Sequence, residues 1–328
     1  MIRSADVQSV QRRLKWLATW LRRVAEYALF RLVVGLARWC PLDLTAAIFS
    51  AFYRLYAPLT RHHARALRNL ERAFPKKTTA ERQAIALAMW DNFGRLVAES
   101  IHIDRFLLEP QRVHLSDARL LDRCANEAGL KIFVSLHTGN WELTALPITL
   151  RGLNPAGLYR VLANPYVDQF VRSWRTKVFP GGLVGIRRDT SDKFLATRDA
   201  SRQLLRCVRR GIPLALLADH FDRTGISVPF LGQTASLSRL PAALARRFGA
   251  PLFLGRTIRL GSEAQFLVEM QEIAVPHSDD PEHDIRAATL AIKEQFEAWI
   301  CQYPQQWLWS QAPLRANPDL DRTIRQGQ

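Results

Sequence analysis

The chain has 328 residues, 48% of them hydrophobic, with 46 Lys+Arg against 30 Asp+Glu and a formal net charge of +16. That length and apolar content fit one large domain with a smaller appendage. The charge points to a polyanionic partner: nucleic acid, an anionic membrane leaflet, or an acidic protein or lipid. Cys40, Cys124, Cys207 and Cys301 form no C-x-x-C pair and no metal-ligand spacing, which excludes a disulfide framework and fits a reduced, cytoplasm-facing protein.

From residue 11 to 38, Leu14, Leu17, Leu21, Val24 and Ala28 recur at three- and four-residue intervals and predict one apolar helical face. Arg12, Arg13, Lys15, Arg22, Arg23, Arg31 and Arg38 carry charge around it, with Trp16, Trp20 and Trp39 interleaved. Such a mixture suits the headgroup layer of a bilayer. No uncharged apolar core ending in small residues follows the basic start, so it does not read as a secretory leader. A second apolar stretch, 44–53 (LTAAIFSAFY), lies between Asp43 and Arg54. Neither stretch reaches the roughly 20 apolar residues of an unaided span. The expectation for residues 1–58 is therefore membrane-associating helices that lie in or dip into the interface. A tilted single span and an ordinary helical hairpin capping the core are the alternatives.

A basic segment, 60–74, follows, then a break at 75–79. Thr78 and Glu81 have capping-box spacing and predict a helix running to about His102. His62 and His63 are read as surface residues of the basic segment. Beyond this helical lead-in (59–104) the texture changes to short apolar runs alternating with amphipathic ones. Strands are predicted at 130–136, 157–162, 212–218, 251–260 and 265–273. Helices are predicted at 141–150, 166–177, 193–210, 236–248 and from about 282 to 303. The pattern predicts an α/β fold, a mixed sheet covered by helices on both faces, within a domain spanning 59–315 and followed by a polar tail, 316–328.

The most informative segment is Phe133-Val-Ser-Leu-His-Thr-Gly-Asn-Trp-Glu142. A buried strand ends there, a histidine follows at once, and a Gly-Asn turn leads into a helix. Open α/β sheets place ligands outside the carboxyl ends of their strands, where His137 should sit. A histidine on the exit loop can face Glu142 on the first helical turn. A carboxylate on one imidazole nitrogen fixes the tautomer and stabilises the imidazolium formed when the other nitrogen takes a proton. Spacing alone leaves open that His137 is a hydrogen-bonded turn residue and Glu142 a helix cap.

The segment resembles the H-x4-D/E motif of glycerolipid acyltransferases. In its fuller form, His-Thr-Gly-Asn-Trp-Glu, it is similar to the lipid A biosynthesis (late) acyltransferase family. Three further blocks carry the resemblance in order: Arg68-Asn-Leu-Glu-Arg-Ala-Phe-Pro75; Tyr159-Arg160 with Asn164-Pro165; and Asp219 with Gly225, Val228-Pro229-Phe230 and Gly232. The helix and strand around Leu244-Ala-Arg-Arg-Phe-Gly-Ala-Pro251 are similar as well. The resemblance implies that His137 deprotonates a hydroxyl of a lipid A precursor, that Glu142 orients and charge-stabilises it, and that the acyl group comes from a thioester on acyl carrier protein or coenzyme A. It also implies an enzyme of the inner membrane with its catalytic domain toward the cytoplasm, and no cofactor or metal.

Arg160 is the candidate for gripping a phosphate or the developing oxyanion, or else a solvated strand-end charge. Asn140, Asn164 and Asp219 are further candidates for binding substrate; Asn140 otherwise serves the turn or donates a hydrogen bond. Asn164 and the 225–232 segment also read as turn chemistry, and Asp219 is either a site residue at the sheet edge or a turn residue. The sequence departs from the family at Asp219-His220, where Asp-Gln is common. It departs again at Tyr303-Pro-Gln-Gln-Trp-Leu-Trp-Ser-Gln-Ala-Pro, where Gln305 replaces a usual Glu and Ser310-Gln-Ala-Pro313 replaces basic residues. The acceptor is thus a lipid A precursor or another membrane lipid such as a glycerophospholipid. Two rival classes remain: a basic nucleic-acid-binding protein, which lacks any recognised DNA- or RNA-binding signature here, and a lipid-binding protein of the same fold without turnover. No G-x-S-x-G elbow, P-loop or dinucleotide fingerprint is present.

Overall fold

The computed structural model describes residues 4–186 and 193–311; the polar tail 316–328 lies outside them. Five helices come first: α1 (Ser4–Trp39), α2 (Leu42–Tyr56), α3 (Arg61–Ala73), α4 (Thr79–Ile101) and the short α5 (Ile103–Leu108). The capping box is present, with Thr78 N donating to Glu81 Oε2 at 2.6 Å and Glu81 N to Thr78 Oγ1 at 3.2 Å. It satisfies two of the backbone donors a helix start leaves open.

α2 lies along α4, and Gly94 permits the close approach: a Cβ there would stand 2.5 Å from the Phe49 carbonyl oxygen and 2.7 Å from Ser50 Cα. Its opposite face, Leu44, Ile48, Phe52 and Leu55, is exposed. Among the α1 side chains the structure describes, Val34 and Ala37 are buried, packed with Phe106 and Trp174, while Leu14, Trp16, Leu17, Trp20, Leu21, Leu32 and Leu36 are exposed. Among the described residues, no helix is long and apolar enough to cross a membrane. The surface reading of His63 is corrected. It shares a face with Ala66 and Leu70, is buried, and accepts a hydrogen bond at 3.1 Å from Trp90 Nε1. His62 is exposed.

The sheet domain then runs β1 (Val113–Leu115), α6 (Ala118–Asn126), β2 (Ile132–Ser135), a 3-10 turn (Trp141–Ala145) entering α7 (Leu146–Leu150), β3 (Ala156–Arg160), α8 (Pro165–Val178) and β4 (Gly182–Ile186). After these come α9 (Lys193–Arg209), β5 (Leu214–Leu217), β6 (Ile226–Phe230), β7 (Gln233–Leu237), α10 (Leu240–Phe248), β8 (Leu252–Arg259), β9 (Phe266–Ile273) and α11 (Pro281–Gln302). Seven strands form one sheet in the order β1-β9-β8-β2-β5-β3-β4. β8, β2, β5, β3 and β4 are parallel, and β9 runs antiparallel to β8.

Every residue of β2 is buried, as a central strand covered on both sides requires. On one face, Ile132, Val134, Leu214, Leu216, Leu252 and Leu254 pack with Leu244 of α10 and Phe296 of α11. On the other, Phe133 and Phe253 stack 5.2 Å apart beside Leu121 and Cys124 of α6 and Ile148 of α7. The mixed sheet with helices on both faces is thus as the sequence predicts.

Two local readings change. The helix expected over 236–248 starts at Leu240, because Gln233–Leu237 pairs with β6 instead. The 225–232 segment is mostly strand. Gly225 closes a separate turn onto the Asp222 carbonyl. Leu231 and Gly232 form the hairpin turn, both left-handed at φ 48° and 71°. That is the two-residue hairpin geometry whose twist matches the flanking strands. Leu231 bears the strain while buried, with its N–H donating to Glu297 Oε1 of α11.

Candidate active site

β2 and β5 are adjacent and parallel, with Ser135 opposite Leu217. Two residues further along each chain come His137 and Asp219, so both leave the carboxyl edge of the sheet at one level. Asp219 Oδ1 lies 2.7 Å from His137 Nδ1, and Asp219 Oδ2 accepts the His137 backbone N–H at 2.8 Å and Trp307 Nε1–H at 2.7 Å. An ionised carboxylate only accepts, so the Nδ1 proton points at Asp219 and Nε2 is left as the basic nitrogen. The segment carrying Trp307 folds back over the strand exit: Leu308 N–H donates to the His137 carbonyl at 3.0 Å, and Trp307 bridges Thr138. Trp141 meets the imidazole edge-on with ring centres 4.9 Å apart.

The electrostatics follow from these contacts. Burial favours the neutral imidazole, but the charge and hydrogen bond of Asp219, assisted by the charge of Glu142, outweigh it and raise the His137 pKa above its ordinary 6.5, with Arg175 opposing. Burial also disfavours the Asp219 carboxylate; the histidine and the two N–H donors overcome that and hold its pKa below the usual 3.8. The pair is therefore built to keep a carboxylate ionised beside an imidazole that gains a proton.

Glu142 is not the hydrogen-bond partner expected for His137. The 3-10 turn aims it at α8, where Arg175 grips both carboxylate oxygens, Nη2–Oε1 at 2.5 Å and Nε–Oε2 at 3.1 Å. It acts on His137 through its charge. Asn140 turns into the core and donates to Glu99 Oε2 at 2.8 Å. Asn164 caps α8, accepting from Tyr166 N at 3.1 Å, and its Nδ2 ties down α1 through the Arg23 carbonyl at 2.8 Å and Glu26 Oε2 at 3.0 Å. Both asparagines thus make their hydrogen bonds within the protein. Arg160 is exposed at the end of β3, on the far side of β5 from His137.

Thus only Asp219 of the four further candidates contacts His137, in the position expected of Glu142. Sequence reasoning did not find Trp307 or Arg175. The Trp-Leu-Trp segment was visible, but nothing local says that its first indole meets a carboxylate 88 residues away. Among the described residues no three His, Cys, Asp or Glu side chains converge as a metal site.

A histidine hydrogen-bonded to a buried aspartate at the carboxyl edge of a helix-covered sheet is the arrangement of an α/β protein with a nitrogen free to accept a hydroxyl proton. Residues 15–315 match the model of the bacterial lipid A biosynthesis acyltransferases, and the chain belongs to that family. It is also 28% identical over 214 residues to the phosphatidylinositol mannoside acyltransferase of Mycolicibacterium smegmatis, a match covering 62% of this chain and 63% of that protein.

Proposed function

We propose that the chain moves a fatty acyl group from a thioester, carried on acyl carrier protein, to a hydroxyl of a lipid A precursor at the cytoplasmic face of the inner membrane. The observation that carries the reading is the hydrogen bond of Asp219 to His137 Nδ1, which leaves Nε2 to accept the acceptor's proton. The oxygen freed of that proton attacks the thioester carbonyl. Asp219 stabilises the imidazolium, and collapse of the tetrahedral intermediate expels the thiolate, which takes the proton back from Nε2. Arg175, held by Glu142 through Nε and Nη2, is a second candidate beside Arg160 for the phosphate or oxyanion role. The exposed tryptophans and leucines of α1, with the exposed face of α2, suit the headgroup layer.

A second reading keeps the chemistry and changes the acceptor to another membrane lipid. It is favoured by the name of the mycobacterial relative and by Ser310-Gln311 standing where family members carry basic residues. Lipid mass spectrometry of cells lacking the chain, complemented by it or by His137→Ala, tests both. A lipid A species short of one acyl chain, restored only by the unaltered protein, supports the first acceptor. Intact lipid A beside another under-acylated lipid supports the second, and full restoration by His137→Ala removes the base from the mechanism.

A further inference from the structure

A base that serves two substrates must be held in one place relative to both. The strand register fixes only where His137 leaves the sheet; the loop after it, Thr138-Gly139-Asn140, lies over a buried ion pair. Arg259, the last residue of β8, donates to both oxygens of Glu99 on α4, Nη1–Oε1 at 2.5 Å and Nη2–Oε2 at 2.9 Å, and its Nε donates to Asn92 Oδ1 at 2.8 Å. Both acceptor residues then hold the loop. Asn92 Nδ2 donates to the Gly139 carbonyl at 2.9 Å, and Asn140 Nδ2 donates to Glu99 Oε2 at 2.8 Å. From the other side, Gln306 accepts the Arg259 N–H on its side chain at 2.9 Å and the Gly139 N–H on its carbonyl at 3.1 Å.

The Glu99 and Arg259 side chains are 0% and 5% exposed. Charges so deeply buried are costly to desolvate, and well-packed apolar side chains would often serve stability as well. What the guanidinium fork adds is direction, two parallel bonds plus a third at Nε. Asn140 points the same way: its Oδ1 is buried without a partner. Glu99 only accepts, so the amide must face it through nitrogen, and the loop keeps that orientation at the expense of an orphaned acceptor.

We infer that the Glu99–Arg259 pair, acting with Asn92, is a positioning element that sets the placement of His137 through its loop. It touches no reacting atom. The inference rests on the reading of His137 as the base.

The test compares Glu99→Leu/Arg259→Met, which replaces both charges together, with Asn92→Ala, which keeps the ion pair and frees the Gly139 carbonyl. His137→Ala is assayed in parallel. Thermal unfolding, kcat, KM for the thioester and the pH profile are measured on the full chain with vesicle-borne acceptor. The double variant is expected to lose about 10- to 100-fold in kcat, the scale of an ångström-sized misplacement. Its KM and the acid limb of its profile should stay near wild type, since Asp219 and Trp307 are untouched. Asn92→Ala should change kcat in the same direction by a smaller factor.

Unchanged kcat per folded molecule in both variants, with His137→Ala inactive, overturns the positioning role alone. An acid limb that moves along with kcat overturns it too, because the pair then acts on the histidine's charge. Should the double variant not fold, Asn92→Ala decides by the same criteria. Turnover by His137→Ala sinks the base reading itself.

Discussion

Asparagine at position 219 keeps the side chain's size and changes which of its two terminal atoms can donate. The surroundings decide how the new amide lies. Two donors, the His137 N–H at 2.8 Å and the Trp307 indole N–H at 2.7 Å, converge on the site of Oδ2 and demand an oxygen there. The amide nitrogen must then face His137 Nδ1, where a carboxylate oxygen stood at 2.7 Å. It donates to Nδ1, the ring proton moves to Nε2, and the base is lost while the fold is kept. The expected loss in kcat is about 10³- to 10⁴-fold, roughly 4–5.5 kcal/mol in the barrier. Unfolding free energy should fall by only about 1–3 kcal/mol, the difference between charged and neutral hydrogen bonds. Thioester consumption and acylated lipid, measured from about pH 6 to about pH 9, check it, and no pH in that window should restore the rate. Turnover within tenfold of wild type would refute the tautomer argument. Asp219→Ala is a poorer probe, because it strands two buried donors.

Wild-type turnover should fall on acidification through the raised pKa of His137, since only the neutral ring accepts a proton. Glu142→Gln removes an anion that favours the imidazolium and should move that limb to lower pH, whereas Arg175→Met removes an opposing cation and should move it higher; shifts of the same sign would exclude action through charge. Gly139→Ala places a Cβ 1.9 Å from the Thr257 carbonyl oxygen at a φ of +55°. The left-handed conformation alone costs about 1–2 kcal/mol, so both a lower unfolding temperature and lower turnover are expected, and a wild-type unfolding curve would contradict the close packing. Trp16→Ser/Trp20→Ser/Leu21→Ser alters exposed side chains and should change stability by less than about 0.5 kcal/mol each. It should weaken co-sedimentation with anionic vesicles at least about tenfold; unchanged sedimentation would move the anchor to Leu44, Ile48 and Phe52.

The five strands and most of the helices were legible in the sequence because their signals are local. The alternation of short apolar runs with amphipathic ones marks β2, β3, β5, β8 and β9 to within two residues at each end, and Thr78 with Glu81 marks the start of α4. Other strands were not legible: β4 (GLVGI) contains two glycines, and β6 contains Pro229, tolerated because that hairpin stands apart from the large sheet. The apolar periodicity of α1 predicted a helix, but not that Val34 and Ala37 would be its buried contacts.

By itself the sequence determined that His137 stands at the exit of a buried strand, in a motif that resembles one family. Only the tertiary structure decided its partner. Nearness along the chain favoured Glu142, five positions away. The register of β2 on β5 instead delivered Asp219 from 82 residues away, with the Trp307 indole fixing it from a further 88. Periodicity tells which residues form a strand, but the order of strands in a sheet is set by packing among distant segments, and the His137–Asp219 hydrogen bond depends on that order.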